Sequence, residues 1–143
     1  MRSSTYLNTA LALSTAGLLF SGYLSAVKLF TATCAFGETC PLFLGLPACW
    51  FGFLMYLVMF LVSLFGVFGR IQPRRAAWGN AVVSFVGILF AGYLTTPEIG
   101  RLISGTTYSL GLPTCAYGLI FYTIIFVVSV WFLFRARSIN ARA

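Results

Sequence analysis

Four apolar stretches, each about as long as a bilayer is thick, dominate this sequence. They cover roughly residues 7–30, 48–68, 77–95 and 114–134, and none has a charged residue in its middle. A helix crosses the hydrocarbon core with about 20 mostly apolar residues. The chain is 60% hydrophobic and 8% charged, which is more apolar surface than a soluble domain of this size can cover. The sequence therefore predicts an all-α membrane protein, a single domain of four transmembrane helices over residues 1–143.

The second and fourth helices are two copies of one segment. LGLPACWFGFLMYLVMFLVS at 44–63 and LGLPTCAYGLIFYTIIFVVS at 110–129 are identical at ten of twenty positions. The first and third helices are related as well, because GLLFSGYL at 17–24 aligns with GILFAGYL at 87–94. A helical hairpin is thus present twice in tandem.

The tandem hairpins predict an internal symmetry. Repeat 1 covers about 7–68 and repeat 2 about 77–134, and each contains two spans, so both enter the membrane from the same side. We expect a pseudo-two-fold axis along the membrane normal. Arg2 and the following apolar run also fit a cleaved signal peptide. The run is long for that role and matches the third helix, so we expect the first helix to stay.

The distribution of basic residues predicts the orientation. The termini and the central loop carry seven of the nine, namely Arg2, Arg70, Arg74, Arg75, Arg135, Arg137 and Arg142. Lys and Arg are retained on the cytoplasmic face. We therefore expect both termini in the cytoplasm and the loops at about 31–47 and 96–113 outside, in a bacterial inner (plasma) membrane. The net charge of +7 is explained by these flanks and by the lipid bilayer as partner, and does not require nucleic acid.

All four cysteines fall on the predicted extracytoplasmic side. They are Cys34, Cys40, Cys49 and Cys115. That face is oxidising in a bacterial envelope, so disulfides are permitted, and four cysteines allow three pairings. The local pair Cys34–Cys40 with the symmetric pair Cys49–Cys115 is the favoured arrangement. Cys49 and Cys115 each follow Pro-x, which predicts a place in the first helical turn, where unpaired N–H groups stabilise negative charge.

Most other chemistry is excluded by composition. The chain has no His and no Asp, and its two Glu lie on different loops. Triad hydrolysis, zinc catalysis with His ligands and paired-carboxylate catalysis are thereby removed. The cysteine spacing is wide and irregular for a four-thiolate zinc site, so no metal is expected. A proton-coupled pump is disfavoured because no ionisable residue lies in mid-membrane.

A stripe shared by the second and fourth helices follows the cysteines. It consists of Gly52, Tyr56, Phe60 and Ser63 with their counterparts Gly118, Tyr122, Phe126 and Ser129. Steps of three and four residues keep such positions on one helical face. This face predicts close helix packing, with glycines admitting a neighbour, and it also fits the wall of a shared pocket.

Nearly the whole chain resembles the vitamin K epoxide reductase family. The likeness is carried by GLLFSGYLSAVKLF, by two loop cysteines, by FLGLPACWFGFLMY, and by GILFAGYL followed by a cysteine at the head of the fourth helix. Members of that family form disulfides, and a helix-4 cysteine pair passes electrons to a quinone. The resemblance implies that Cys34 and Cys40 relay electrons from a thioredoxin-like partner on the outer face.

The family's helix-4 Cys-x-x-Cys is absent, because Cys115 is followed by Ala-Tyr-Gly. Cys49 is positioned on the second helix to replace the missing thiol. We therefore expect a quinone-linked thiol–disulfide oxidoreductase with Cys34, Cys40, Cys49 and Cys115 as catalytic residues. The quinone is expected near the aromatic residues Trp50, Tyr56, Tyr117 and Tyr122. The alternatives are a non-catalytic binding or assembly protein braced by two structural disulfides, and a transporter.

Overall fold

The protein is a bundle of four long helices. The computed structural model describes residues 2–31, 42–105 and 114–140, so Cys34 and Cys40 lie outside the described residues. The helices are α1 (Ser3–Thr31), α2 (Ala48–Val67), α3 (Pro73–Ile103) and α4 (Thr114–Asn140). Each contains a segment long and apolar enough to cross a membrane. The predicted all-α, four-helix fold of an integral membrane protein is confirmed.

The helices form a ring in chain order. α1 packs most extensively on α2, and α3 on α4, so each repeat is a helical hairpin. Contacts of α2 with α3 and of α1 with α4 join the two hairpins, which leaves α2 and α4 diagonally opposite. The end where α2 and α4 begin is called the cysteine end below. The end where α1 and α3 begin is called the terminal end.

The turn between the hairpins is fixed by glycine and proline. Gly69, with φ of 72°, follows α2, and its N–H donates to the carbonyl of Gly66 at 3.1 Å. The Arg70 N–H donates to the Phe65 carbonyl at 2.9 Å, which completes a Schellman motif. Pro73 then begins α3, where its missing N–H costs nothing.

Two details of the predicted extracytoplasmic loops differ from expectation. α3 continues past Pro97 to Ile103, although a break was expected there. The segment of α3 that is long and apolar enough to cross a membrane ends at Pro97, and the proline removes the hydrogen bond to the Tyr93 carbonyl one turn earlier. The other loop contains a short hairpin, β1 (Leu42–Phe43) and β2 (Leu46–Pro47). Its turn residues Leu44 and Gly45 have φ of 52° and 82°, as a tight β-hairpin requires.

A buried polar network joins all four helices near the terminal end. The Tyr6 hydroxyl of α1 is 3.0 Å from Ser129 Oγ of α4. Asn80 Nδ2 of α3 donates to Tyr6 at 3.2 Å and to Ser63 Oγ of α2 at 2.9 Å. All four residues are fully buried, and the Tyr6 ring stacks on Phe132 at 4.5 Å. Each helix thus contributes one polar group to a single hydrogen-bonded cluster.

The network breaks the symmetry of the repeats. Ser63 and Ser129 are repeat counterparts, but Tyr6 and Asn80 align with Ala76 and Ala10. The two serines are therefore held by different residues placed one helical turn apart. This arrangement favours the pairing of the α1–α2 hairpin with the α3–α4 hairpin. Two copies of either hairpin would lack one of the two serine partners, Tyr6 or Asn80.

We predict that Tyr6→Phe destabilises the protein by about 1–2 kcal/mol, since two hydrogen bonds in an apolar interior are lost while the stacked ring remains. The matched control is Tyr93→Phe, because Tyr93 is largely exposed, and it should change the free energy of unfolding by less than about 0.5 kcal/mol. Unfolding of the detergent-solubilised protein by dodecyl sulfate measures both. Equal values for the two variants would contradict a stabilising role of the network.

Candidate functional site at the cysteine end

The two described cysteines occupy equivalent places in the fold. Cys49 is the second residue of α2, and Cys115 is the second residue of α4. Both are half-buried. Pro47 precedes α2 in an extended conformation, with no side-chain cap for the first turn. The predicted location of both thiols in first helical turns at one end of the bundle is therefore observed.

Cys49 and Cys115 both carry thiols, and no disulfide joins them. They belong to helices that are diagonal in the ring. That the pair comes within bonding reach stays a prediction. The expected Cys34–Cys40 bond lies outside the described residues.

A stacked tyrosine pair joins the two cysteine-bearing helices. The rings of Tyr56 and Tyr122 lie 4.4 Å apart at an interplanar angle of 9°. The Tyr56 hydroxyl donates to the Gly118 carbonyl at 3.0 Å, and the Tyr122 hydroxyl donates to the Gly52 carbonyl at 3.2 Å. Gly52 and Gly118 each follow their cysteine by three residues. The pair therefore ties α2 to α4 about one helical turn below the thiols.

Two equivalent glycines make room for these rings. A Cβ added to Gly17 of α1 would lie 2.3 Å from an atom of the Tyr56 ring, and one added to Gly87 of α3 would lie 2.5 Å from the Tyr122 ring. Any larger residue would displace the tyrosine. The glycines of α1 and α3 thus determine where the tyrosines of α2 and α4 stand.

Aromatic contacts flank the tyrosine pair on both sides. Phe20 of α1 meets Tyr117 of α4 edge-on at 6.2 Å between ring centroids. The counterpart contact joins Phe90 of α3 to Phe51 of α2 at 5.7 Å. Phe43 of the hairpin packs on the second pair, 5.5 Å from Phe51 and 5.2 Å from Phe90. The cysteine end is therefore lined by aromatic rings from all four helices.

Ser25 and Thr95 are also repeat counterparts. Ser25 of α1 donates to the Cys49 carbonyl at 3.3 Å. Thr95 is its counterpart on α3, at the 70-residue offset of the first and third helices. Thr95 is only 2% exposed, and within the described part of the chain its Oγ1 has no hydrogen-bond partner.

The residues predicted to bind a quinone have different environments. Tyr56 and Tyr122 are buried and in contact with each other, and Tyr117 is half-buried against Phe20. Trp50 is 39% exposed. Sequence reasoning did not single out Phe51, Phe90, Ser25 or Thr95. The repeat offsets contain the signal that would have found them, because they place these residues beside the cysteines in both copies.

The reciprocal contacts are those that a pseudo-two-fold axis requires. The two tyrosine hydrogen bonds, the two glycine contacts and the two flanking aromatic pairs each relate a residue of one repeat to its counterpart. That a pseudo-two-fold axis along the membrane normal relates the two repeats stays a prediction.

No cluster of three or more His, Cys, Asp or Glu suited to a metal is found among residues 2–31, 42–105 and 114–140. Comparisons of the chain with family models, with curated proteins and with solved structures find no match. The proposed relationship to vitamin K epoxide reductases therefore rests on the residues quoted above.

We predict that Gly17→Ala and Gly87→Ala each destabilise the protein by about 1–3 kcal/mol, because the added methyl group overlaps a buried ring. Gly92→Ala is the matched control in α3, since an added Cβ there meets no described atom within 4 Å. This control should be neutral or slightly stabilising, because alanine favours the helix. Thermal unfolding in detergent measures all three. A Gly17 or Gly87 variant as stable as the Gly92 variant would show that the tyrosine positions are not fixed by these contacts.

Proposed function

We propose that the protein is a membrane thiol–disulfide oxidoreductase that passes electrons from a thioredoxin-like partner, through its cysteines, to a quinone. The observation that carries the proposal is the matched placement of Cys49 and Cys115. Both thiols lie in first helical turns at one end of the bundle, directly above a tyrosine pair that connects their helices. The duplicated hairpin places one thiol from each repeat at the same end of the bundle, where both can meet one ligand.

The helix ends support thiol chemistry. Thiol–disulfide exchange requires a thiolate, which attacks the disulfide sulfur. First-turn N–H groups have no intrahelical acceptor and stabilise negative charge. The proline that begins the turn at Cys49 offers no capping side chain, so these N–H groups are available to an anion.

The surroundings of the thiols fit a quinone. Such a molecule has a flat apolar ring and carbonyl oxygens that accept hydrogen bonds. The aromatic pairs Phe20–Tyr117 and Phe51–Phe90 suit the ring. The unpartnered hydroxyl of Thr95 suits a carbonyl oxygen.

The proposed exchange proceeds in two steps on this chain. A thiolate of the partner attacks the Cys34–Cys40 disulfide, and the second partner thiol resolves the mixed disulfide, so the partner is oxidised and Cys34 and Cys40 become thiols. One of these, as thiolate, then opens a Cys49–Cys115 disulfide, and the other resolves that mixed disulfide in the same way. Two electrons move inward in each step. In this scheme the two thiols of the structure are the reduced form of the inner pair.

Reoxidation of the inner pair completes the cycle. A bound quinone supplies an acceptor for two electrons and two protons. Cys49 and Cys115 lose their protons and form the disulfide again. The stacked tyrosines below join α2 to α4.

The proposal includes the orientation in the membrane. Both termini and the turn at 68–72 are placed in the cytoplasm by the positive-inside rule. The cysteine end then faces the oxidising extracytoplasmic side of a bacterial inner membrane, where a thioredoxin-like partner can reach the loop of Cys34 and Cys40.

Cys115→Ser is expected to abolish the oxidation of a dithiol by quinone, because the inner pair no longer forms a disulfide. In the same variant Cys49 should become alkylatable in membranes where it is protected in the wild type. Ser104→Ala is the control, since Ser104 is exposed at the same end. Quinone reduction by purified protein, with dithiothreitol as donor and short-chain benzoquinone or naphthoquinone as acceptor, gives the rate.

The same experiment addresses the alternative of a braced, non-catalytic protein. In that case wild-type protein shows no turnover, and Cys115→Ser lowers stability by about 2–4 kcal/mol through loss of a structural disulfide. Unchanged turnover in Cys115→Ser would also overturn the proposed role of the inner pair.

A further inference from the structure

Hydroxyl groups on the helices of this protein share one habit. Among the described residues, eight of them bond to a backbone carbonyl one turn earlier in their own helix, namely Thr9, Ser14, Thr15, Ser21, Thr31, Ser84, Thr96 and Thr123. This back-bonding is the ordinary way to satisfy a hydroxyl in an apolar setting. Ser63 and Ser129 do not follow it, because they belong to the buried polar network. Ser25 and Thr95, which are repeat counterparts, do not follow it either.

Thr95 lies at the level of the proposed quinone site. Ala91, one turn before it on the same face of α3, packs in the buried cluster that contains Tyr56 and Tyr122. Thr95 is therefore about 6 Å nearer the cysteine end than the tyrosine pair, at 1.5 Å per residue. Gly118 is four residues before Tyr122 on the antiparallel α4 and has the same height. Cys115 is less than one turn above it.

The hydroxyls of Ser25 and Thr95 differ in their hydrogen bonding. Ser25 is satisfied by the Cys49 carbonyl. Thr95 Oγ1 is buried with no hydrogen-bond partner in the described part of the chain, although its neighbour Thr96 bonds to the Gly92 carbonyl in the usual way. A hydroxyl kept unpaired in an apolar interior is costly. The two repeats therefore differ at this position, and the unsatisfied hydroxyl belongs to repeat 2.

We propose that the Thr95 hydroxyl binds the quinone by donating a hydrogen bond to one of its carbonyl oxygens. The inference rests on the proposed function and adds to it the residue that orients the acceptor toward Cys115. The donor is neutral and does not titrate, so the contact places the ring without changing the protons exchanged at the thiols. Repeat 1 offers no equivalent donor, because Ser25 is already engaged.

Ligand entry requires a local rearrangement. Thr95 Oγ1 is enclosed by protein atoms that make no hydrogen bond with it. The new hydrogen bond satisfies a polar atom that was unsatisfied before.

Three variants of the full chain test the proposal. Thr95→Val keeps the shape and removes the hydroxyl, Thr95→Ser keeps the hydroxyl, and Thr96→Val is the control on the adjacent, exposed residue. The probes are a short-chain benzoquinone and a short-chain naphthoquinone, titrated in detergent and followed by quenching of tryptophan fluorescence. We expect Thr95→Val to raise Kd about tenfold, which is the usual weight of one hydrogen bond. The serine variant and the Thr96 control should stay within about twofold of wild type.

Two further readouts separate binding from folding and from thiol chemistry. Thr95→Val should be at least as stable as wild type in thermal unfolding, because it replaces an unpaired buried hydroxyl with a methyl group. Single-turnover oxidation of dithiothreitol without quinone should be the same in wild type and in the Thr96→Val control, whose residue is exposed. An unchanged Kd in Thr95→Val, with wild type binding quinone, overturns the role of Thr95 and leaves the proposed function standing. Absence of quinone binding by wild type overturns the proposed function, and the role of Thr95 with it.

Discussion

The cysteine end of this protein depends on one interaction, the stacking of Tyr56 on Tyr122. α2 and α4 are diagonal in the ring and make few other contacts with each other. The two phenols bridge that distance, because each hydroxyl reaches a glycine carbonyl of the opposite helix. Their rings fit only because α1 and α3 offer glycine at the contact. Every helix therefore contributes to the spacing of the two cysteines, and the duplicated sequence makes the two contributions equal.

At the terminal end of the bundle, a buried hydrogen-bonded network joins the helices. There the duplicated serines Ser63 and Ser129 are held by Tyr6 and Asn80, which have no counterparts in the other repeat. Hydrogen bonds in an apolar interior are directional and costly to leave unmade, so they specify which helices meet. The symmetric aromatic contacts and the asymmetric polar network have separate consequences. The aromatic contacts give the two thiols similar environments. The polar network determines how the two hairpins pair.

The sequence was sufficient to predict the four helices and their hairpin pairing, because membrane spans depend on apolar length and the repeat is explicit. The Pro-x-Cys motif also predicted that Cys49 and Cys115 lie in the first turns of their helices. The stacking of Tyr56 on Tyr122 could not be predicted, because the stripe fitted packing and pocket lining equally well. The continuation of α3 beyond Pro97 and the hairpin at Leu44 were missed. Proline usually ends a helix, and leucine rarely adopts a positive φ, so the sequence argued against both features. The state of the Thr95 hydroxyl is a matter of a side-chain rotamer, which residue spacing does not specify.

The central claim is that Cys49 and Cys115 cycle between dithiol and disulfide in response to quinone. The most direct measurement is acid quenching of native membranes, followed by differential alkylation and mass spectrometry of the four cysteines, with and without quinone supply. The account predicts a mixed population in which the Cys49–Cys115 disulfide increases with quinone and decreases with a dithiol donor. A pair that stays fully oxidised in the presence of dithiol, or that stays as thiols whatever the quinone supply, would contradict it.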